Sequence, residues 1–191
     1  MSALDAPHST RSKLGTHGID ALDWPRIIND LDTTGRALVP GFLHAADWQA
    51  IAAMYDSDAA FRSRVVMQRH GFGRGEYRYF SYPLPSGPGD YNCLHRDLYG
   101  EHVFPLQEAV LLAEPGRDFT GGEFVLTEQR PRMQSRVDVV PLAQGDAVVF
   151  AVHHRPVNGT RSIYRVNMRH GVSTIRTGRR HTLGLIFHDA T

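Results

Sequence analysis

Cysteine, lysine and long apolar runs are nearly missing from this chain. Cys93 is the single cysteine among 191 residues. No intramolecular disulfide and no four-cysteine zinc site can therefore form. Lys13 is the single lysine, and no glutamate precedes Glu76. No stretch approaches the roughly 18 apolar residues of a membrane span. Met1 to Gly18 is polar and lacks the apolar region of a secretory leader. These absences lead us to expect a cytoplasmic protein with no membrane partner. Residues 1–18 are expected to form a flexible tail and residues 19–191 a single domain, long enough to bury a core.

What the chain does have is arginine and histidine. Formal net charge is +1, yet ten arginines lie between residues 130 and 180 against Asp138 and Asp146. Arginine at this density can bind phosphates or carboxylates, and can equally form a solvated basic face.

The patterning is helical first and strand-like afterwards. Asp23-Trp24-Pro25 reads as a helix start, with Ile27, Ile28 and Leu31 at helical spacing and Gly35 as the stop. Residues 45–56 read as a second helix, with Trp48, Ile51, Ala52 and Tyr55 on one face. From Arg62 onward, short runs rich in Val, Tyr and Phe alternate with Gly and Pro clusters. Strands are expected at 64–68, 76–84, 102–113, 123–127, 137–142, 147–152, 163–168 and 182–188. About eight short strands after a helical start predict a mainly β fold, a sandwich or barrel such as the double-stranded β-helix (jelly roll), with an N-terminal helical flank.

His95-Arg96-Asp97 is the pattern that points to chemistry. Residues i and i+2 of an extended segment face the same side, so His95 and Asp97 can offer an imidazole and a carboxylate to one ion. With a second histidine they would form a facial triad that leaves positions open for O2 chemistry. His153, His154, His170, His181 and His188 are the downstream candidates. The spacing to Arg180, ten residues beyond His170, favours His170. Arg180 and Thr182, two apart at the last strand, could bind the far carboxylate of a 2-oxo diacid by a guanidinium pair and a hydroxyl.

Five features then occur in a familiar order: His95-x-Asp97, Gly121-Gly122-Glu123, Gln144 to Phe150 (QGDAVVF), His170-Gly-Val172 and Gly178-Arg-Arg180. Their order resembles that of the Fe(II)/2-oxoglutarate oxygenases, with prolyl-hydroxylase-like spacing. Residues 88–190 more closely resemble a bacterial family of uncharacterised oxygenases often labelled with oxidative demethylation of damaged DNA. The phrases YNCLHRDLYGEHVFPLQ, EPGRDFTGGEFVLTEQRPRMQSR and RRHTLGLIFHDA carry that likeness, and GFGRGEYRYFSYPLP (71–85) extends it.

The resemblance implies a jelly roll with Fe(II) held by His95, Asp97 and His170, and 2-oxoglutarate and O2 as cosubstrates. Arg180 and Thr182 would hold the distal carboxylate, with Tyr79, Tyr91 and Gln107 as pocket hydrogen-bonders. The expected activity is a dioxygenase that hydroxylates, or oxidatively demethylates, an unidentified substrate. That substrate is an alkylated nucleobase or, alternatively, a small molecule or amino-acid side chain. A catalytically impaired metal-binding jelly roll is a further alternative.

Two departures stand out. Nucleobase demethylases place two arginines six residues apart on the last strand, whereas Ile186 stands six residues beyond Arg180. The join between YFSYPLP and GPGDYNCLH is Ser86-Gly87 alone, shorter than in the family. From this we expect the strand leading into His95 to be missing and one sheet to be rebuilt from residues 76–84.

Overall fold

The computed structural model describes residues 19–54, 64–66, 73–74, 76–78, 82–83, 87–98, 104–160 and 162–187. The expected tail, residues 1–18, and Tyr79 lie outside them.

After a 3-10 turn at Ile19–Ala21 come α1 (Trp24–Thr34), β1 (Arg36–Val39) and α2 (Ala45–Met54). The strands β2 (Arg64–Val66), β3 (Gly73–Arg74), β4 (Glu76–Arg78), β5 (Tyr82–Pro83), β6 (Tyr91–His95) and β7 (Leu106–Leu111) follow. The second half holds β8 (Phe119–Gly121), β9 (Phe124–Gln129), β10 (Arg136–Val140), β11 (Ala147–Ala151) and β12 (His154–Asn158). It ends with β13 (Ile163–Val172), β14 (Ile175–Gly178) and β15 (Thr182–Ile186).

α1 forms where its end signals say it should. Asp23 accepts the Arg26 backbone N–H, Pro25 sits in the first turn, and Gly35 closes the helix at φ 80° with its N–H on the Leu31 carbonyl. A side chain at Gly35 would suffer twice: the left-handed backbone disfavours a Cβ, and that Cβ would lie 2.9 Å from Met168 Cε. The helix buries Ile27 against Ala37, Val39, Val110, Leu112 and Ala147, on the outer face of the sheet that holds β1 and β7. Trp48, Ile51 and Ala52 of α2 cover the same face.

Two antiparallel sheets make the body of the fold. The five-stranded sheet runs β1-β11-β7-β15-β5 and the six-stranded sheet β10-β9-β13-β6-β3, with β12 also on β13. Two-stranded ladders, β14-β8 and β2-β4, complete the described strands. Between the sheets lie Leu111, Phe119, Phe124, Leu126, Val140, Val148 and Phe150. Strands of both sheets alternate sides, so the opposed apolar rows exclude water from one slab. This is the expected jelly roll with its helical flank.

The strand leading into His95 is present: it is β6, paired with β13. The expectation that the short join removes it is therefore wrong. Tyr91–His95 forms this strand without the alternating apolar pattern that would announce it, because its residues are mostly exposed or half-buried. β5, from within 76–84, does extend the five-stranded sheet by pairing with β15.

Candidate metal centre

His95 and His170 are 75 positions apart in sequence yet directly opposite in register, His95 at the end of β6 and His170 in β13. His170 lies inside a ten-residue strand, not in the connecting segment after residue 168. Its alternation with Val166 and Met168 turns it to the buried side. The two imidazole rings are 4.2 Å apart. Asp97, two residues past His95, turns back between them. Its Oδ1 is 3.5 Å from His95 Nε2 and its Oδ2 is 3.3 Å from His170 Nε2.

One ligand atom from each residue can be chosen so that all lie within 4.8 Å of one another. Ligands at about 2.1 Å from an ion and at right angles to each other are about 3 Å apart, so the observed separations need little adjustment. His95 Nδ1 is 2.7 Å from the Cys93 carbonyl. A carbonyl only accepts, so Nδ1 carries a proton, and Nε2 is the ring atom turned to Asp97. The His170 ring is wedged against Phe150, centroids 4.7 Å apart, and stacked on Phe124 at 6.1 Å.

The electrostatics follow from this crowding. Burial opposes ionisation of Asp97, but hydrogen bonds from His170 and His95, with their charge, hold the carboxyl far below the usual range. Burial pushes the His170 imidazole down, against the hydrogen bond to Asp97. His95 is also opposed by burial, yet Asp97 and the Cys93 and His170 backbones raise it.

The rival histidines do not join this cluster. His154 sits opposite Asn167 on the outer side of the six-stranded sheet, with its ring stacked on that of His153 at 3.4 Å. Among the described residues, the cluster able to hold an ion is His95, Asp97 and His170. His188 lies outside the described residues.

A small cavity of about 60 Å³ links the triad to the other predicted residues. Gln107, Phe124, Phe150, Arg180, Thr182 and Ile186 line it together with His95, Asp97 and His170. Register explains its shape. Phe150, Gln107 and Ile186 form one inward row of the five-stranded sheet, Val148, Ala109 and Gly184 the next, and Leu111 and Thr182 the third. Ala109 and Gly184 leave space in the middle row, between Gln107 and Thr182. Tyr91 is 38% exposed and does not line the cavity, because β6 shifts register beside Asn92.

Arg180 is the group that most plainly awaits a ligand. It is 1% exposed. Its Nη1 donates to Thr182 Oγ1, its Nε has no partner, and no described carboxylate forms an ion pair with it. Burial lowers its pKa to about 10 against the pull of the nearby Glu123 charge, so it remains a cation at neutral pH. A buried cation held by one hydroxyl is costly unless an anion joins it. Sequence reasoning missed Phe124 and Phe150 as walls of the triad; their apolar strand positions gave no sign beyond core packing.

Facially arranged His, Asp and His, a jelly roll around them and a buried arginine across the cavity define the class of the 2-oxoglutarate-type oxygenase fold. Solved structures agree on the fold. A prolyl-4-hydroxylase from Pseudomonas putida aligns at TM-score 0.52 and 17% identity, covering 86% of this chain and 98% of that one. The non-heme alpha ketoglutarate dependent epimerase SnoN from nogalamycin biosynthesis aligns at TM-score 0.56 and 16% identity, covering 87% and 83%.

The chain belongs to the oxygenase family described as "Oxygenase, catalysing oxidative methylation of damaged DNA", which matches residues 86–190. Uncharacterized proteins from two Mycobacterium tuberculosis strains are each 52% identical over 116 residues, 61% of this chain. The chain spans about half the length of these relatives, 50% of each.

Proposed function

We propose that this chain is an Fe(II)- and 2-oxoglutarate-dependent dioxygenase. The observation that carries the reading is the convergence of His95, Asp97 and His170 on one cavity with the carboxylate-free Arg180. Two imidazoles and a carboxylate would suit ferrous iron and would leave room on it for cosubstrates. Bound iron with 2-oxoglutarate and O2 supplies the oxidant that hydroxylates an unactivated C–H bond, with succinate and CO2 as co-products.

The protein's own residues bind and orient. Arg180 and Thr182 take the distal carboxylate of the diacid, a charge-assisted contact in a water-poor site. The Cys93 carbonyl fixes the tautomer of His95, and Phe124 and Phe150 hold the His170 ring and keep water from it. Gln107 offers an amide from the inward row that it shares with Phe150 and Ile186.

Two substrate readings each have an observation behind them. The family description supports methylated DNA, where hydroxylation of an N-methyl carbon ends in demethylation. Ile186 on the inner row, without a second arginine on that strand, supports an amino-acid side chain or small molecule.

Purified protein with Fe(II), ascorbate and 2-oxoglutarate is expected to release succinate, faster with methylated oligonucleotides or with a peptide panel according to which substrate is correct. His170→Ala is expected to abolish metal binding and succinate release, while His154→Ala retains both. Absence of metal-dependent succinate with every substrate would overturn the reading. Metal loss in His154→Ala alone would overturn the ligand assignment.

A further inference from the structure

The glycine pair Gly121-Gly122, immediately ahead of Glu123 and β9, has no part in the chemistry above. Its two members do different things. A Cβ on Gly121 would lie 2.3 Å from the Thr174 carbonyl oxygen, so this residue permits a backbone approach. A Cβ on Gly122 would instead lie 2.9 Å from Arg180 Cδ and 2.9 Å from Ile175 Cγ1. Both neighbours are buried, Arg180 at 1% and Ile175 at 0% exposure, so a methyl group at position 122 is accommodated only if one of them moves, and the space open to Arg180 is the cavity itself.

We propose that Gly122 is a positioning residue for the cosubstrate's distal carboxylate. Its missing side chain leaves the slot in which the Arg180 stem lies, and that slot aims the guanidinium at the cavity beside Thr182. The inference rests on the reading of Arg180 as the dicarboxylate anchor. A methyl group at position 122 displaces the Arg180 stem, and with it the Nη1 contact to Thr182. The metal triad, on β6 and β13, is left as it was.

Backbone strain needs separating from this contact, because Gly122 has φ +64° and any alanine there is strained. Gly41 supplies the control: its φ is +61° and a Cβ on it meets nothing within 4 Å. Gly41→Ala carries the same left-handed strain with no collision.

The test uses the full chain loaded with Mn(II), a redox-quiet stand-in for the ferrous ion. Calorimetry compares 2-oxoglutarate with 2-oxopentanoate, which has the same carbon chain with a methyl in place of the distal carboxylate. The wild-type protein is expected to prefer the diacid by at least about tenfold, the scale of a charge-assisted hydrogen bond. Gly122→Ala is expected to lose that preference while Mn(II) and monoacid affinities change less than about twofold, within the ordinary effect of a remote substitution. Gly41→Ala keeps the preference.

A Gly122→Ala protein with undiminished preference overturns this inference and leaves the Arg180 reading standing. A wild-type protein without the preference overturns both. Thermal melts of Gly122→Ala, Arg180→Ala and the double variant cover the case of poor folding. Less damage from Gly122→Ala once Cδ of residue 180 is gone supports the slot; equal damage in both backgrounds overturns it.

Discussion

Two arginines are buried among the described residues, and they differ in what surrounds them. Arg155 of β12, 4% exposed, donates to the Asp32 carbonyl at the end of α1 and forms an ion pair with Glu128, which is also held by Arg130. Arg180, 1% exposed, has the Thr182 hydroxyl and no described carboxylate. Each leaves its Nε without a partner. The first closes its charge within the fold and ties helix to sheet. The second faces a cavity shared with His95, Asp97 and His170. Burial alone therefore does not mark a functional arginine; burial with an uncompensated charge does.

The largest effect is expected at the satisfied one. Arg155→Ala strands the Glu128 carboxylate and should cost about 3 kcal/mol, the lower end for breaking a buried pair because Arg130 remains. Melting should fall by about 6–12 °C, with 2-oxoglutarate affinity preserved. Equal loss of 2-oxoglutarate binding in Arg155→Ala and Arg180→Ala would break the contrast.

Arg180→Ala is expected to invert that pattern. It should weaken 2-oxoglutarate binding by about 1.5–3 kcal/mol, the range for hydrogen bonds to a charged group, and shift the melting temperature little. A melt as depressed as that of Arg155→Ala would show Arg180 to be structural.

A third ionisable group sharpens the contrast through pH. Glu108 is on β7, flanked in register by Val149 and Leu185, and burial raises its carboxyl to about 7. The folded state thus resists ionising it. Its favourable contribution is fully present below the ordinary carboxylate range and disappears as pH rises through about 7. Glu108→Gln should therefore be more heat-stable than wild type at pH 8, with the difference closing toward pH 5. Parallel melting curves across that window would show that Glu108 ionises freely.

The smallest effect is expected on the surface. Arg26 pairs with Asp30 at 2.9 Å one turn along α1 and reaches the Leu38 carbonyl. Both side chains are substantially exposed, so Arg26→Ala should cost no more than about 0.5 kcal/mol. A multi-degree melting loss would place this exposed arginine with Arg155.

Much of this organisation is legible along the chain because it is local. Asp23, Pro25 and Gly35 mark the ends of α1 through contacts within four residues. Val148 and Phe150 face the other sheet while Ala147 and Val149 point the opposite way, as alternate residues of a strand must. β6 and β12 escape notice for a physical reason. Tyr-Asn-Cys-Leu-His and His-Arg-Pro-Val-Asn lack an apolar alternation, and pairing with β13 holds them in the sheet. The pocket role expected for Tyr91 fails through the same region's register shift.

By itself, then, the sequence determined the capped helix, the apolar strands and the supply of ligand types: an H-x-D pair, spare histidines and an Arg-x-Thr pair. Each depends on spacings of a few residues, which backbone geometry translates directly into faces. The tertiary structure decided which histidine meets His95 and which arginine is enclosed. His170 rather than His154 faces Asp97 because β13 pairs with β6 in one register, and a strand turns alternate residues to opposite sides. Arg180 rather than its neighbour Arg179 is buried, with its stem against Gly122, 58 positions away. Such contacts come from packing between distant segments, and no local pattern encodes them.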